Sequence, residues 1–297
     1  MSRRPSRPAA LALVAAAVAG GGALPAVASA EIYGGGYLQI PKSVRAYAGN
    51  DALVTVNVNG NGVRLSVAAA TSRCTTLGAR ELRTTVPDAT NWQAISAVRT
   101  LRARSGALRT RVRLTVQLQR TGPEQLDGTL TMVGTLHNGK RRLRCRGTLP
   151  LSVRRNGPSP RPGAAANHSR FGVTSQRVDG FRAAIAIVAR PDGRLSAVWA
   201  TRFRCQSGRK TWNGSFRNFA PPFAVRADGS FRGTERHREQ GGRGRKRYRY
   251  QFNGTIRGRV GSDGLARGTV HVSSRYEQRG YYPTVCKSIT ASFVAAP

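Results

Sequence analysis

Carboxylates are scarce in this chain. Seven Asp and six Glu stand among 297 residues, against 49 Lys and Arg, and the formal net charge is +36 at pH 7. A glycosidase that needs two carboxylates across a cleft has few to draw on. Asp127, Asp179, Asp192, Asp228 and Asp263 each precede glycine, where a turn is the expected role. Lysine is nearly absent too: only Lys42, Lys140, Lys210, Lys246 and Lys287 occur, so arginine carries the charge. No Cys-x-x-Cys occurs, which argues against a zinc knuckle or a thioredoxin-type redox site. No serine stands in a Gly-x-Ser-x-Gly setting, so a nucleophilic triad has no support. His137, His168 and His271 lie apart, before a turn, in a linker and on a strand. Beyond the first thirty residues there is no long apolar run and no sustained apolar period of 3.6, so neither a membrane span nor a helix is expected.

What is present begins with an export signal. Arg3, Arg4 and Arg7 form a basic start, Ala9 to Val18 is apolar, and Ala28-Ser29-Ala30 is a small-x-small cleavage pattern before Glu31. No cysteine adjoins that point, so a lipid anchor there is not expected. The expectation is a soluble mature chain from about Glu31, secreted or associated with the cell envelope, in which four cysteines favour two disulfides.

A period of two dominates the rest. Leu108, Thr110, Val112, Leu114, Val116 and Leu118 share one side of a strand, with Arg109, Arg111, Arg113, Thr115, Gln117 and Gln119 on the other. Farther on, Tyr248, Tyr250, Phe252, Ile256 and Val260 alternate with Arg245, Arg247, Arg249, Gln251, Arg257 and Arg259. Asn59-Gly60-Asn61-Gly62, Asp127-Gly128, Pro191-Asp192-Gly193, Asp228-Gly229 and Asp263-Gly264 have turn chemistry. Strands so punctuated indicate an all-β chain of antiparallel sandwich or open-barrel type. Tyr33-Gly34-Gly35-Gly36-Tyr37 fits either a flexible lead-in or a first edge strand.

The pattern is written twice. Cys74 lies twelve residues after Gly62 and Cys205 twelve after Gly193; Cys145 and Cys286 each follow a Gly-Thr strand and open a last strand, with Val153 and Val294 eight residues on. The expected organisation is a signal peptide at 1–30, a β domain at 31–153, a Pro/Gly/Arg-rich linker at 154–172 and a second β domain at 173–297, each domain with one disulfide. On the Asp/Asn-Gly turn before the first cysteine, the Gly-Thr strand and the cysteine opening the last strand, the chain resembles duplicated secreted β-domain proteins of actinobacteria, whose function is unknown. The resemblance implies secretion and a β fold and supplies no catalytic residues. Four cysteines allow three pairings; the duplication favours Cys74–Cys145 and Cys205–Cys286, each tying a first hairpin to a last strand.

Three functions are weighed. The leading one is a non-enzymatic extracellular protein, with no cofactor or metal, whose arginine ladders (Arg109, Arg111, Arg113; Arg245, Arg247, Arg249) attract anionic cell-wall polymer, acidic polysaccharide or nucleic acid nonspecifically. Tyr281-Tyr282 and Trp212 could add stacking surfaces. The second is a barrel holding a small apolar ligand against Tyr248, Tyr250 and Phe252. The third is a hydrolase using Glu235 and Glu239; within Glu235-Arg236-His237-Arg238-Glu239, the alternate residues share one strand face and could hold a metal or act as acid and base, or else form Glu–Arg pairs on a solvated strand end.

Overall fold

The computed structural model describes residues 30–39, 50–71, 74–76, 79–88, 90–105, 108–139, 141–244 and 247–297. The expected signal segment lies outside the described residues, apart from Ala30. All regular elements of the described residues are strands that pair antiparallel. Sheet A comprises β1 (Glu31–Leu38), β2 (Asp51–Asn59), β3 (Gly62–Ala70), β4 (Arg80–Thr85), β5 (Ala94–Ser105), β6 (Leu108–Gly122), β7 (Gln125–Asn138) and β8 (Arg141–Arg155). Sheet B comprises β9 (Arg170–Val178), β10 (Phe181–Ala189), β11 (Leu195–Ser207), β12 (Lys210–Phe223), β13 (Ser230–Gly241), β14 (Tyr248–Val260), β15 (Ala266–Gln278), β16 (Thr284–Ser288) and β17 (Ala291–Ala296).

The two sheets share one order of strands. Sheet A runs β4-β3-β2-β1-β8-β7-β6-β5 and sheet B runs β12-β11-β10-β9-β17-β15-β14-β13. In each, the first strand pairs with the last, so the sheet curls into a nearly closed meander barrel whose seam lies between its fourth and fifth strands. A side chain bridges each seam: Arg99 on β5 donates to the Glu81 carbonyl on β4, and Glu235 on β13 accepts from the Phe219 N–H on β12. The last strand of sheet B differs from its counterpart. Where β8 is continuous, sheet B breaks at Ile289-Thr290 into β16 and β17. β16 pairs with both β11 and β15 and narrows one end of the barrel.

Alternation fills both interiors. Leu114, Leu118, Leu130 and Met132 pack with Tyr33 and Trp92 inside sheet A, and Trp199, Ile256, Val270 and Val272 inside sheet B. Phe223 and Phe231 stack there at 5.6 Å. One disulfide serves each sheet, Cys74–Cys145 in A and Cys205–Cys286 in B, the pairing that the doubled spacing favours.

Two local expectations change. Asp127-Gly128 is not a turn: both residues lie inside β7, and the chain reverses at Pro123-Glu124. A Cβ on Gly128 would fall 1.9 Å from the Gln117 carbonyl oxygen, so the glycine permits a close strand approach. The glycines of Tyr33-Gly34-Gly35-Gly36-Tyr37 belong neither to a lead-in nor to an edge. They sit in β1, paired on both sides by β2 and β8. A Cβ on Gly34 would lie 2.2 Å from Val173 and 2.6 Å from the Gly172 carbonyl oxygen, both on β9, so the missing side chain lets sheets A and B touch.

That contact has its own core. Leu38 and Leu53 from sheet A meet Ala184, Ala186, Val198 and Phe219 from sheet B. Thr55 donates to the Arg182 carbonyl at 2.8 Å, and Arg217 pairs with Asp51, which is 1% exposed. Between β8 and β9, residues 156–169 bond to both sheets: Ser159 donates to the Glu124 carboxylate on the sheet A side, and the later part folds onto sheet B. Buried Arg170 donates to the carbonyls of Ala165, Ala166, His168 and Gly264, and the Arg161 N–H to that of Asp263.

Burial pushes the Asp51 carboxyl up to about 6, against the opposing pull of Arg217. The folded state therefore holds this proton more tightly than the unfolded chain. The contribution of Asp51 to stability is greatest below about pH 4 and declines as pH rises through about 6. Replacing Arg217 by Met strands a buried carboxylate, a change that costs roughly 3–5 kcal/mol. Urea unfolding of R217M is expected to show a large loss at pH 8 and a much smaller one at pH 4. An equal loss at both would contradict a buried charge at Asp51.

Candidate functional site

The outer face of β5 to β8 collects the first arginine ladder into a field. Arg109, Arg111 and Arg113 are exposed on β6. Register sets Arg109 between Arg104 and His137, and Arg111 between Arg102 and Thr135. One strand farther, Arg142 lies opposite His137, Arg144 opposite Thr135 and Arg146 opposite Val133. Asp127 is the single carboxylate on these four strands. It accepts from Thr121 at 2.6 Å and from Ser152 at 2.7 Å, which with Gln125 and Arg154 holds it below the usual carboxylate range against its partial burial. Like charges directly opposite one another destabilise a sheet. The Arg104–Arg109 and Arg102–Arg111 pairs therefore concentrate positive charge on this face.

The second ladder is described only in part. Arg245 lies outside the described residues, Arg247 precedes β14, and only Arg249 stands on that strand, opposite Gln240 and Glu277. The cations on this outer face come instead from several strands. Arg236 and Arg238 on β13, Arg275 on β15 and Lys287 on β16 surround Gln251, Asn253 and Ser273 in an open depression of about 600 Å³. Sequence reading missed this group because its members are joined only by strand register: Arg238 faces Gln251, which faces Arg275, and Ser273 faces Lys287. The doubled cysteines held part of the signal, since Cys286 in register with Cys205 fixes where Lys287 must fall.

The Glu235-to-Glu239 segment divides between two faces. Arg236 and Arg238 point outward and Glu235, His237 and Glu239 to the other side, so Glu–Arg pairing along the strand is not what the structure shows. His237 Nε2 lies 3.6 Å from Glu239 Oε2, Glu239 accepts from the Tyr248 hydroxyl, and the His237 and Tyr250 rings are 6.1 Å apart. No group of three potential ligands capable of holding a metal ion occurs among the described residues. Burial pushes the Glu235 carboxyl up to about 7, against the opposing effects of His237 and the Phe219 N–H. Of the three aromatics assigned to a ligand cavity, Phe252 packs onto the core of sheet B, while Tyr248 stacks on Tyr276 at 5.8 Å and burial raises the Tyr250 hydroxyl.

The expected stacking residues are exposed. Tyr281 and Tyr282 are 71% and 76% exposed on the turn between β15 and β16, and Trp212 is 45% exposed on β12.

No protein-family model matches the chain, and no curated protein matches it. The chain aligns with the crystal structure of kievitone hydratase from Nectria haematococca at 10% identity, over 89% of this chain and 88% of that one. The TM-score is 0.19, and the likeness carries no argument.

Glu235 yields a pH test. Its folded pKa stands above the ordinary carboxylate value, so its contribution to stability is fully present below about pH 4.5 and declines as pH rises through about 7. Glu235→Gln should flatten the fall in melting temperature of the native chain between pH 5 and pH 8. Superimposable pH profiles for the two proteins would show that Glu235 titrates normally.

Proposed function

We propose that this protein is a non-catalytic binder of anionic polymers, exported from the cell and held near the envelope by its charge. The outward face of β5–β8 carries this reading. Arginines face one another across β5 and β6 and stand again on β8, and the only carboxylate of the four strands is committed to other partners. A guanidinium is planar, stays charged and offers paired donors, so it suits phosphate and carboxylate groups repeated along a polymer. The corresponding strands of sheet B, β13 to β16, also turn cations outward. The common strand order supports descent of both sheets from one duplicated module, with the cationic face kept in both.

Two disulfides suit an oxidising compartment, and no helix among the described residues is long and apolar enough to cross a membrane. The reading needs no reaction at Glu235, because its carboxyl already has a structural use across the seam.

Salt dependence tests the proposal. Association with a phosphate polymer should weaken steeply as salt rises, with a slope that counts the cations engaged. Replacing Arg109, Arg111 and Arg113 together by Ser should lower that slope by about two to three, since each released counterion contributes roughly 0.7–0.9. Titrations at several salt concentrations measure it. A binding constant independent of salt would remove the charge-driven mechanism.

A further inference from the structure

We infer that the outer depression of sheet B and the tyrosine turn at its end form one site for single-stranded nucleic acid. The inference rests on the anionic-polymer reading above and names the polymer. The two cationic faces are not equivalent. The β5–β8 face presents rows of guanidinium groups with no Phe, Tyr or Trp in register. The sheet B face holds a depression of about 600 Å³ that places Arg236, Arg238 and Lys287, with Arg275 paired to Glu277 at 2.6 Å, around the amides of Gln251 and Asn253.

Immediately before β16 the chain presents Tyr281 and Tyr282. Their turn is well held. Gly280 takes a φ of 81°, the Tyr281 N–H donates to the Gln278 carbonyl at 3.1 Å, and Ser207 donates to the Tyr282 carbonyl at 3.1 Å. The Tyr282 ring lies over Gly208, where an added Cβ would stand 3.0 Å from it. Val285 and Lys287 line the depression, and Tyr282 precedes Val285 by three residues, about 10 Å of extended chain. The tyrosine turn therefore lies within about three residues of chain from the depression, beside the β11–β12 turn.

Chemistry selects the polymer. Proteins that hold single strands combine a positive groove for the backbone with aromatic rings on which bases stack. A polymer with anionic groups and no bases uses the arginines and leaves the tyrosines idle. A duplex keeps its base faces stacked inside and offers the rings nothing. A single strand uses both, and a turn whose backbone is already pinned loses little further freedom when a base lands on its rings.

The test compares three probes on the full chain at one salt concentration: an oligothymidylate of about twenty nucleotides, the same length as a duplex, and inorganic polyphosphate of similar charge. The single strand should bind about tenfold or more tightly than either of the others. Tyr281→Ser with Tyr282→Ser should lower single-strand affinity at least tenfold and leave polyphosphate affinity unchanged. Arg236→Ser with Arg238→Ser should weaken both. Arg109→Ser with Arg111→Ser should not lower single-strand affinity relative to polyphosphate affinity. All these side chains are exposed, and an unchanged melting temperature confirms that each variant folds. Equal affinity for polyphosphate and single strand, or a tyrosine variant that binds like the parent, would overturn this inference while the anionic-polymer reading stands. Failure of every probe to bind at low salt would overturn both.

Discussion

A guanidinium taken into an apolar interior must bring hydrogen-bond partners with it, and a strand offers only two faces. In a chain with so many arginines these two constraints decide most of the structure. Strand after strand assigns its apolar residues to the barrel interior and its arginines to the outside. The two most deeply buried arginines obey the same rule. Arg170 is fully buried, and each of its guanidinium nitrogens donates to a main-chain carbonyl. Arg154, nearly as buried, donates to the carbonyls of Pro297 and Val153 and lies 3.7 Å from Asp127. Burial pulls both guanidinium pKa values down, but the satisfied donors make the positions tolerable. Both residues hold the region where one sheet gives way to the next.

Closing a sheet on itself removes its exposed edges, yet each barrel keeps a seam. Strands four and five do not pair in either sheet, and different chemistry covers the gap. Arg99 reaches across the seam of sheet A to a carbonyl. Glu235 reaches across that of sheet B to an N–H. The second arrangement places a carboxylate in a half-buried setting, which raises its pKa. A perturbed carboxyl beside a histidine invites a catalytic reading, and here the seam supplies a sufficient structural reason for the same shift.

Period-two alternation made the strands and their inward residues legible in the sequence, because each side chain's face is fixed by parity alone. Leu108 to Leu118 is the clearest case. The cysteine spacing made the disulfides legible for a related reason: Cys205 and Cys286 are register partners, so the covalent bond and the ladder agree. The contact between the sheets was not legible. β10 reads Phe-Arg-Ala-Ala-Ile-Ala-Ile-Val-Ala, with Ile185 and Ile187 inside the barrel and Ala184 and Ala186 outside it. A run apolar on both faces signals double burial, but alanine is small enough to pass for neutral surface. The triple glycine of β1 misled in the same way. Gly34 is needed because another sheet lies within van der Waals distance of its missing side chain, and local sequence does not carry that information.

The arginine faces show how far parity reaches and where it stops. On β6 it places Arg109, Arg111 and Arg113 correctly, because the strand is regular over its whole length. On β14 it assigns Arg247 to a strand that begins one residue later, beyond the Gly241–Gly244 loop. What replaces that ladder depends on the broken last strand. Because sheet B splits its final strand at Ile289-Thr290, β16 is free to leave the β9 side and pair with β11 and β15. That crossing brings Val285 and Lys287 beside Arg275 and gives the outer face its depression. It also makes the reversal at Arg279 to Pro283 that holds Tyr281 and Tyr282 in solvent. Among the described residues, sheet A, whose last strand runs unbroken, has neither the crossing strand nor the tyrosine turn. One interrupted strand thus accounts for both the depression and the tyrosine turn of sheet B.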